Sequence, residues 1–204
     1  MQDLGAALGH RERKKLLTRQ ALIDGAMRLY RERGFEGVTI AAIAAEAGVA
    51  PRTFFSYFEC KEDVFLDAGD DRLQRLVETI KARAPGEPIL AAARHELQGG
   101  PEPSLAHVRP DRPDRPDPAE LMQHPSISAR LRERWNRWED ILADAIAREV
   151  GAKPGDTEPR MVAAAITAAI RIAAEAAWKE PTGRGRIATR VFDLLASGLA
   201  DYGA

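Results

Sequence analysis

A chain of 204 residues holds one large domain or two small ones, and a hydrophobic content of 45% is enough to build a core. A net charge of −1 excludes a uniformly basic nucleic-acid coat, so any DNA contact has to come from a local patch. The single cysteine, Cys60, excludes an intramolecular disulfide and cysteine-rich zinc sites, and fits a reducing, cytoplasmic setting.

In chain order, residues 1–10 (MQDLGAALGH) read as a flexible arm and lack the basic-then-apolar pattern of a secretory leader. Residues 11–33 read as a helix, with Leu22, Ala26, Leu29 and Tyr30 at helical spacing and Gly34 as the stop. Two short helices follow at 39–47 and 51–58, then a longer one from Lys61 to Arg83 with Phe65, Leu73, Leu76 and Ile80 on its core face. Pro85-Gly86-Glu87-Pro88 ends that helix, and a short one runs from Glu87 to Gln98. Residues 99–118 carry Pro101, Pro103, Pro110, Pro113, Pro116 and Pro118 and read as a proline-rich loop.

Three long helices complete the chain. Ser126–Val150 carries Ile127, Leu131, Trp135, Trp138, Leu142 and Ile146 on one stripe. The next, from Asp156 or Thr157 to Trp178, is rich in alanine, and the last, Ile187–Tyr202, carries Val191, Leu194, Leu195 and Gly198. The most apolar stretch, Val162–Ile170, lies between Arg160 and Arg171 and falls far short of the ~20 residues that cross a bilayer, so no membrane partner is expected. No segment alternates with a strand period. The expected fold is all-α, with a three-helix DNA-binding domain over 11–60 and a C-terminal helical domain for ligand binding and dimerisation over 61–204.

The segment 38–58, VTIAAIAAEAGVAPRTFFSYF, carries the chemistry. Thr39 is placed to cap the first short helix, and Val38 packs against Ile43 as a hydrophobic staple. Ala44 is small where the helices cross, Gly48 permits the positive φ of a tight turn, and Pro51 opens the second helix. Phe54 and Phe58 anchor one face of that helix, which leaves Arg52, Thr53, Phe55, Ser56 and Tyr57 on the other. Arg52 suits guanine acceptors or phosphate, Ser56 base edges, Phe55 a thymine methyl, and Thr53 and Tyr57 phosphate oxygens. Upstream, Arg11, Arg13, Lys14, Lys15 and Arg19 stand against Glu12 alone, either as a phosphate-tracking arm or as a solvated helix start.

The run AGVAPRTFFSYFECKED resembles the recognition segment of the TetR family of transcriptional regulators, strongly over residues 15–66. Beyond it only the layout agrees, in His124-Pro125 before a long helix and Trp178 closing the next. The resemblance implies that Arg52, Ser56 and Tyr57 face DNA and that Lys61 touches phosphate. It also implies a homodimer built from the last two helices, a small-molecule effector pocket in the C-terminal domain, and repression of a palindromic operator. Two positions depart from the family pattern: Ala50, which cannot cap, and Cys60, in place of serine before Lys61. A thiol at a helix N-terminus also opens the reading of an acidified, redox-sensing cysteine.

Candidate pocket residues are Leu121, Trp135, Trp138, Ile166, Ile170, Arg171 and Trp178, with plain core as the competing reading for the tryptophans. Arg171 either pairs with Glu175 or faces an acidic effector. Arg130, Arg132, Arg134 and Arg137 read as a solvated face. The expected dimer surface takes Ala165, Ala169, Val191, Leu195, Gly198 and Tyr202, with the helix Lys61–Arg83 relaying effector binding to the DNA domain. His10, His95, His107 and His124 have no metal-ligand spacing, no catalytic set appears, and neither enzyme activity nor a cofactor is expected. The competing function is a helical ligand carrier or protein-interaction module with a vestigial DNA motif, which loss of specific DNA binding would reveal.

Overall fold

The computed structural model describes residues 9–66, 70–99, 117–179 and 184–198. Every regular element among them is an α-helix: α1 His10–Arg33, α2 Ile40–Glu46, α3 Pro51–Phe54, α4 Lys61–Phe65, α5 Asp70–Lys81, α6 Ile89–Gly99, α7 Pro118–Leu121, α8 Pro125–Val150, α9 Thr157–Lys179 and α10 Arg184–Ala196. None of these is long and apolar enough to cross a membrane. Most of the expected loop 99–118 and the position of Tyr202 lie outside the described residues.

Two compact units form, one from Met1–Asp67 with Asp111–Arg130, the other from Ala68–Pro110 with Leu131–Ala204. The first unit therefore takes in α4, α7 and the start of α8, which the sequence places in the second domain. Its core is built from the inner faces of α1 to α4 and from α7, with Leu22, Ile23, Ile43, Phe54, Val64, Phe65 and Leu121 fully buried. The second unit gathers Leu76 and Ile80 of α5, Ala93 of α6, Leu142 and Ile146 of α8, Ala163, Ile166 and Ala169 of α9, and Phe192 of α10 around one core. Small alanines let these helices approach closely, and ion pairs Arg75–Glu96 and Arg94–Asp193 cross between α5 and α6 and between α6 and α10.

Three expectations change. The helix expected over Lys61–Arg83 is two helices, since α4 ends at Phe65 and Leu66 leaves helical geometry at φ −93°, ψ 9°. Gly69 with Asp67, Asp70 and Asp71 makes that stretch a poor helix interior and a good helix start. The helix expected over 51–58 is α-helical only to Phe54. The amides of Ser56 and Tyr57 then donate to Thr53 and Phe54, three residues back, in a tightened last turn. The third change concerns α10, which stops at Ala196, with Gly198 beyond it at φ 69° as a turn residue. Among its described side chains the most buried is Phe192, which the expected stripe omits, while Val191 and Leu195 are half-buried against the same core.

Candidate nucleic-acid interface

The helix-turn-helix forms as its local signals dictate. The Thr39 hydroxyl accepts from the Ala42 amide at 3.2 Å, capping α2. Gly48 takes φ 68° in the turn, a region that side chains with a Cβ avoid. Pro51 opens α3, and Ala50 before it makes no side-chain cap. Val38, Ile43, Ala44, Phe54 and Phe58 are all buried, which fixes α3 against α2. The Phe54 ring lies 5.5 Å from that of Phe58 and 5.6 Å, edge-on, from that of Phe55.

With Phe54 turned inward, Pro51, Arg52, Phe55 and Ser56 are exposed, and Thr53 and Tyr57 are half-buried. Phe55 leaves 59% of its surface to solvent, a poor use of an aromatic ring unless another surface covers it. Between this face and the start of α1 lies an open crevice of about 600 Å³, lined by Arg11, Lys14, Lys15, Thr18, Val49, Thr53, Ser56 and Tyr57, with Glu12 its one carboxylate. Hydroxyls and cations thus converge beside an exposed aromatic and an exposed arginine, the donor set that phosphates and base edges require. Arg19, grouped in sequence with the basic arm, instead sets its guanidinium 5.2 Å over the Phe58 ring.

Lys61, expected at phosphate, has partners within its own unit. Its ammonium donates to the carbonyls of Phe35 and Val38 at 3.2 Å each and sits 4.2 Å over the Phe35 ring. It ties α4 to the connection between α1 and α2. Cys60 keeps the capping role that serine fills elsewhere: with Asp63 it forms a capping box at the start of α4. Burial pushes its thiol up to about 11, which opposes the acidified-thiol reading and leaves it protonated near neutral pH.

Segment 117–130 packs into the same unit. Leu121 and Ile127 are buried, and the His124 ring lies 4.7 Å from Phe35. The Tyr30 hydroxyl bonds Glu120, and burial first, then that carboxylate, pushes its pKa up to about 12. Leu121 belongs to this first unit, apart from the other candidate pocket residues.

Those others lie in the second unit. Trp135 and Trp138 meet edge-on at 5.1 Å, Trp138 buried and Trp135 half-buried against the core. Ile166 and Ile170 are buried in that core, while Arg171 is exposed and pairs with Glu175 at 3.5 Å. The Trp178 side chain lies outside the described residues. A second crevice, about 530 Å³, lies elsewhere in this unit, among Ile89, Ile146, Val150, Asp156 and Val162. Ala169, expected at the dimer surface, is 1% exposed and packs into its own chain's core, which removes it from any partner surface. Ala165, one turn earlier on the same side of α9, is half-buried and belongs to a stripe considered below. Among the described residues no group of three or more potential ligands is placed to hold a metal.

Comparison with known proteins agrees with this geometry. Residues 22–68 match the family described as bacterial regulatory proteins, tetR family, and residues 112–200 match the MftR C-terminal domain. The HTH-type transcriptional regulator TcmR of Streptomyces glaucescens is 30% identical over 172 residues, spanning 80% of this chain and 74% of that protein. The putative mycofactocin biosynthesis transcriptional regulator MftR of Mycobacterium tuberculosis is 28% identical over 157 residues, spanning 74% of this chain and 75% of that one. Among solved structures, the SmeT–triclosan complex superposes with a TM-score of 0.53 at 18% identity, covering 89% of this chain and 90% of that one, a likeness of fold. With its helix-turn-helix inside the matched N-terminal region and a matched helical domain behind it, the chain belongs to the TetR family of DNA-binding bacterial transcriptional regulators.

Proposed function

We propose that this protein is a homodimeric repressor that occupies a palindromic operator and leaves it when a small-molecule effector binds the second unit. The observation that carries the reading is the outward face of α3: exposed Arg52, Phe55 and Ser56 beside a crevice lined by Arg11, Lys14 and Lys15. Arg52 and Ser56 read base edges, while Thr53, Tyr57 and the start of α1 hold phosphates. Thr39, exposed at the N-terminus of α2, offers its helix end to the backbone as well. Repression follows from occupancy of the promoter alone.

Support for the dimer comes from α9. Met161 and Ile172 are 66% and 46% exposed, and with half-buried Ala165 and Ala168 they form one stripe opposite the face that enters the core. An apolar stripe flanked by small residues is a surface for a second copy, and a two-fold pairing sets two α3 helices roughly 34–36 Å apart, in successive major grooves. The effector reading rests on the Trp135–Trp138 pair, which suits an apolar ligand at the edge of the second unit's core.

The test is a run-off transcription assay on the intergenic DNA beside the gene. Purified protein is expected to lower transcript yield, and apolar metabolites of the neighbouring genes' products are expected to restore it. Protein that binds such metabolites tightly yet shows no specific DNA binding at moderate salt would establish the ligand-carrier reading instead.

A further inference from the structure

Four arginines at the start of α8 look alike in sequence, but one of them is built into the DNA-binding unit. The Arg130 guanidinium donates from Nε to Asp63 Oδ1 at 2.8 Å and from an Nη to Asp63 Oδ2 at 3.0 Å, and it also pairs with Glu59. The Arg130 and Asp63 side chains are 15% and 8% exposed, whereas Arg132 lies in solvent. The same Asp63 carboxylate accepts from the backbone amides of Glu59 at 3.2 Å and Cys60 at 3.4 Å. One carboxylate therefore holds both amides of the turn leaving α3 and a forked guanidinium from α8. Glu59 follows Tyr57 and Phe58 directly, so whatever fixes this turn fixes the end of the DNA-reading segment.

We propose that Arg130 is a positioning residue for DNA recognition: by clamping Asp63 and Glu59 it sets the α3–α4 corner and, through it, the orientation of Arg52, Ser56 and Tyr57. A buried fork of this kind does little for solubility. Its geometry specifies a single arrangement, because a guanidinium and a carboxylate bond in parallel only when both planes align.

The inference rests on the DNA-binding reading, and its test separates the two. The full chain selects a duplex from a random-sequence library; failure of the wild type to select any sequence overturns the proposed function and the clamp's role together. Arg130→Met, Asp63→Asn, the double variant and Arg132→Met are then titrated with the selected duplex and with a scrambled duplex of equal length, across salt concentrations. Arg130→Met and Asp63→Asn are each expected to lower affinity for the selected duplex about tenfold, with the double variant no worse than either single one. Scrambled-duplex affinity and the salt slope stay at wild-type values, and Arg132→Met changes neither. Should Arg130→Met fail to fold by circular dichroism, Arg130→Lys, which keeps the charge and loses the fork, must show the same selective fall. An unchanged ratio of selected to scrambled affinity overturns the proposal, as does an equal fall in both, which marks loss of folded protein. A salt slope smaller by about one also overturns it, because that is the signature of a direct phosphate contact.

Discussion

Replacing Phe54 with alanine is expected to destabilise the DNA-binding unit by about 3–5 kcal/mol and to abolish operator binding. Phe54 has no exposed surface and lies at the centre of a ring cluster with Phe55 and Phe58. The α3 helix spans only Pro51–Phe54, far too short to persist without tertiary support, and Ala50 gives it no side-chain cap. Its position therefore depends on the aromatic anchor, and removing that anchor leaves both a cavity and an unheld segment. Urea unfolding followed by circular dichroism checks this, and Phe54→Leu is expected to fall between wild type and alanine. A loss under about 1 kcal/mol for alanine would mean that α3 is held by something other than its packing.

The second large effect belongs to the proposed dimer. Introducing glutamate at both Met161 and Ile172 is expected to raise the dimer dissociation constant by about a hundredfold or more, since each charge would be buried against the same stripe of a second copy. Because both side chains are well exposed in the isolated chain, the helical content and thermal transition of the monomer should change little. Sedimentation velocity over a concentration series reads the dissociation directly. A double variant that remains dimeric at the wild-type concentration range would move the interface off this face of α9.

Some of this was legible in the sequence because the signals act over a few residues. Thr39 caps α2 from three residues away, Gly48 and Pro51 shape one turn, and the four-residue spacing of Phe54 and Phe58 turns one face of α3 inward, so the aromatic and arginine face had to point out. The Arg171–Glu175 pair was equally local. What the sequence hid depends on partners far along the chain. Asp63 and Arg130 lie 67 residues apart, and an arginine spaced among Arg132, Arg134 and Arg137 carries no mark of a buried fork. Lys61 finds its carbonyl partners 26 and 23 residues upstream, beyond the reach of any local motif. Periodicity also fails where an apolar stripe runs on past a helix end. Phe65 and Leu73 keep helical phase, and only the cluster of Gly69 with its aspartates marks the break that the structure makes after Phe65. On α9, a wholly alanine-rich surface gave no clue that Ala169 is buried in the core while Ala165, one turn earlier, stays half-buried.

The central claim is that the outward face of α3 reads base sequence while the start of α1 supplies phosphate affinity. The most direct measurement is binding-site selection by the wild type and by Arg52→Ala, followed by salt titration of each, with Lys14→Ala alongside. The wild type should select a two-fold symmetric site with half-sites about one helical turn apart. Arg52→Ala should lose about 1–3 kcal/mol and become indifferent to the base at one symmetric position in each half-site. Lys14→Ala should weaken all sequences alike and lower the salt slope by about one per subunit. If Arg52→Ala, alone or combined with Tyr57→Phe, selects the same site with wild-type affinity at every salt concentration, this face of α3 does not read DNA.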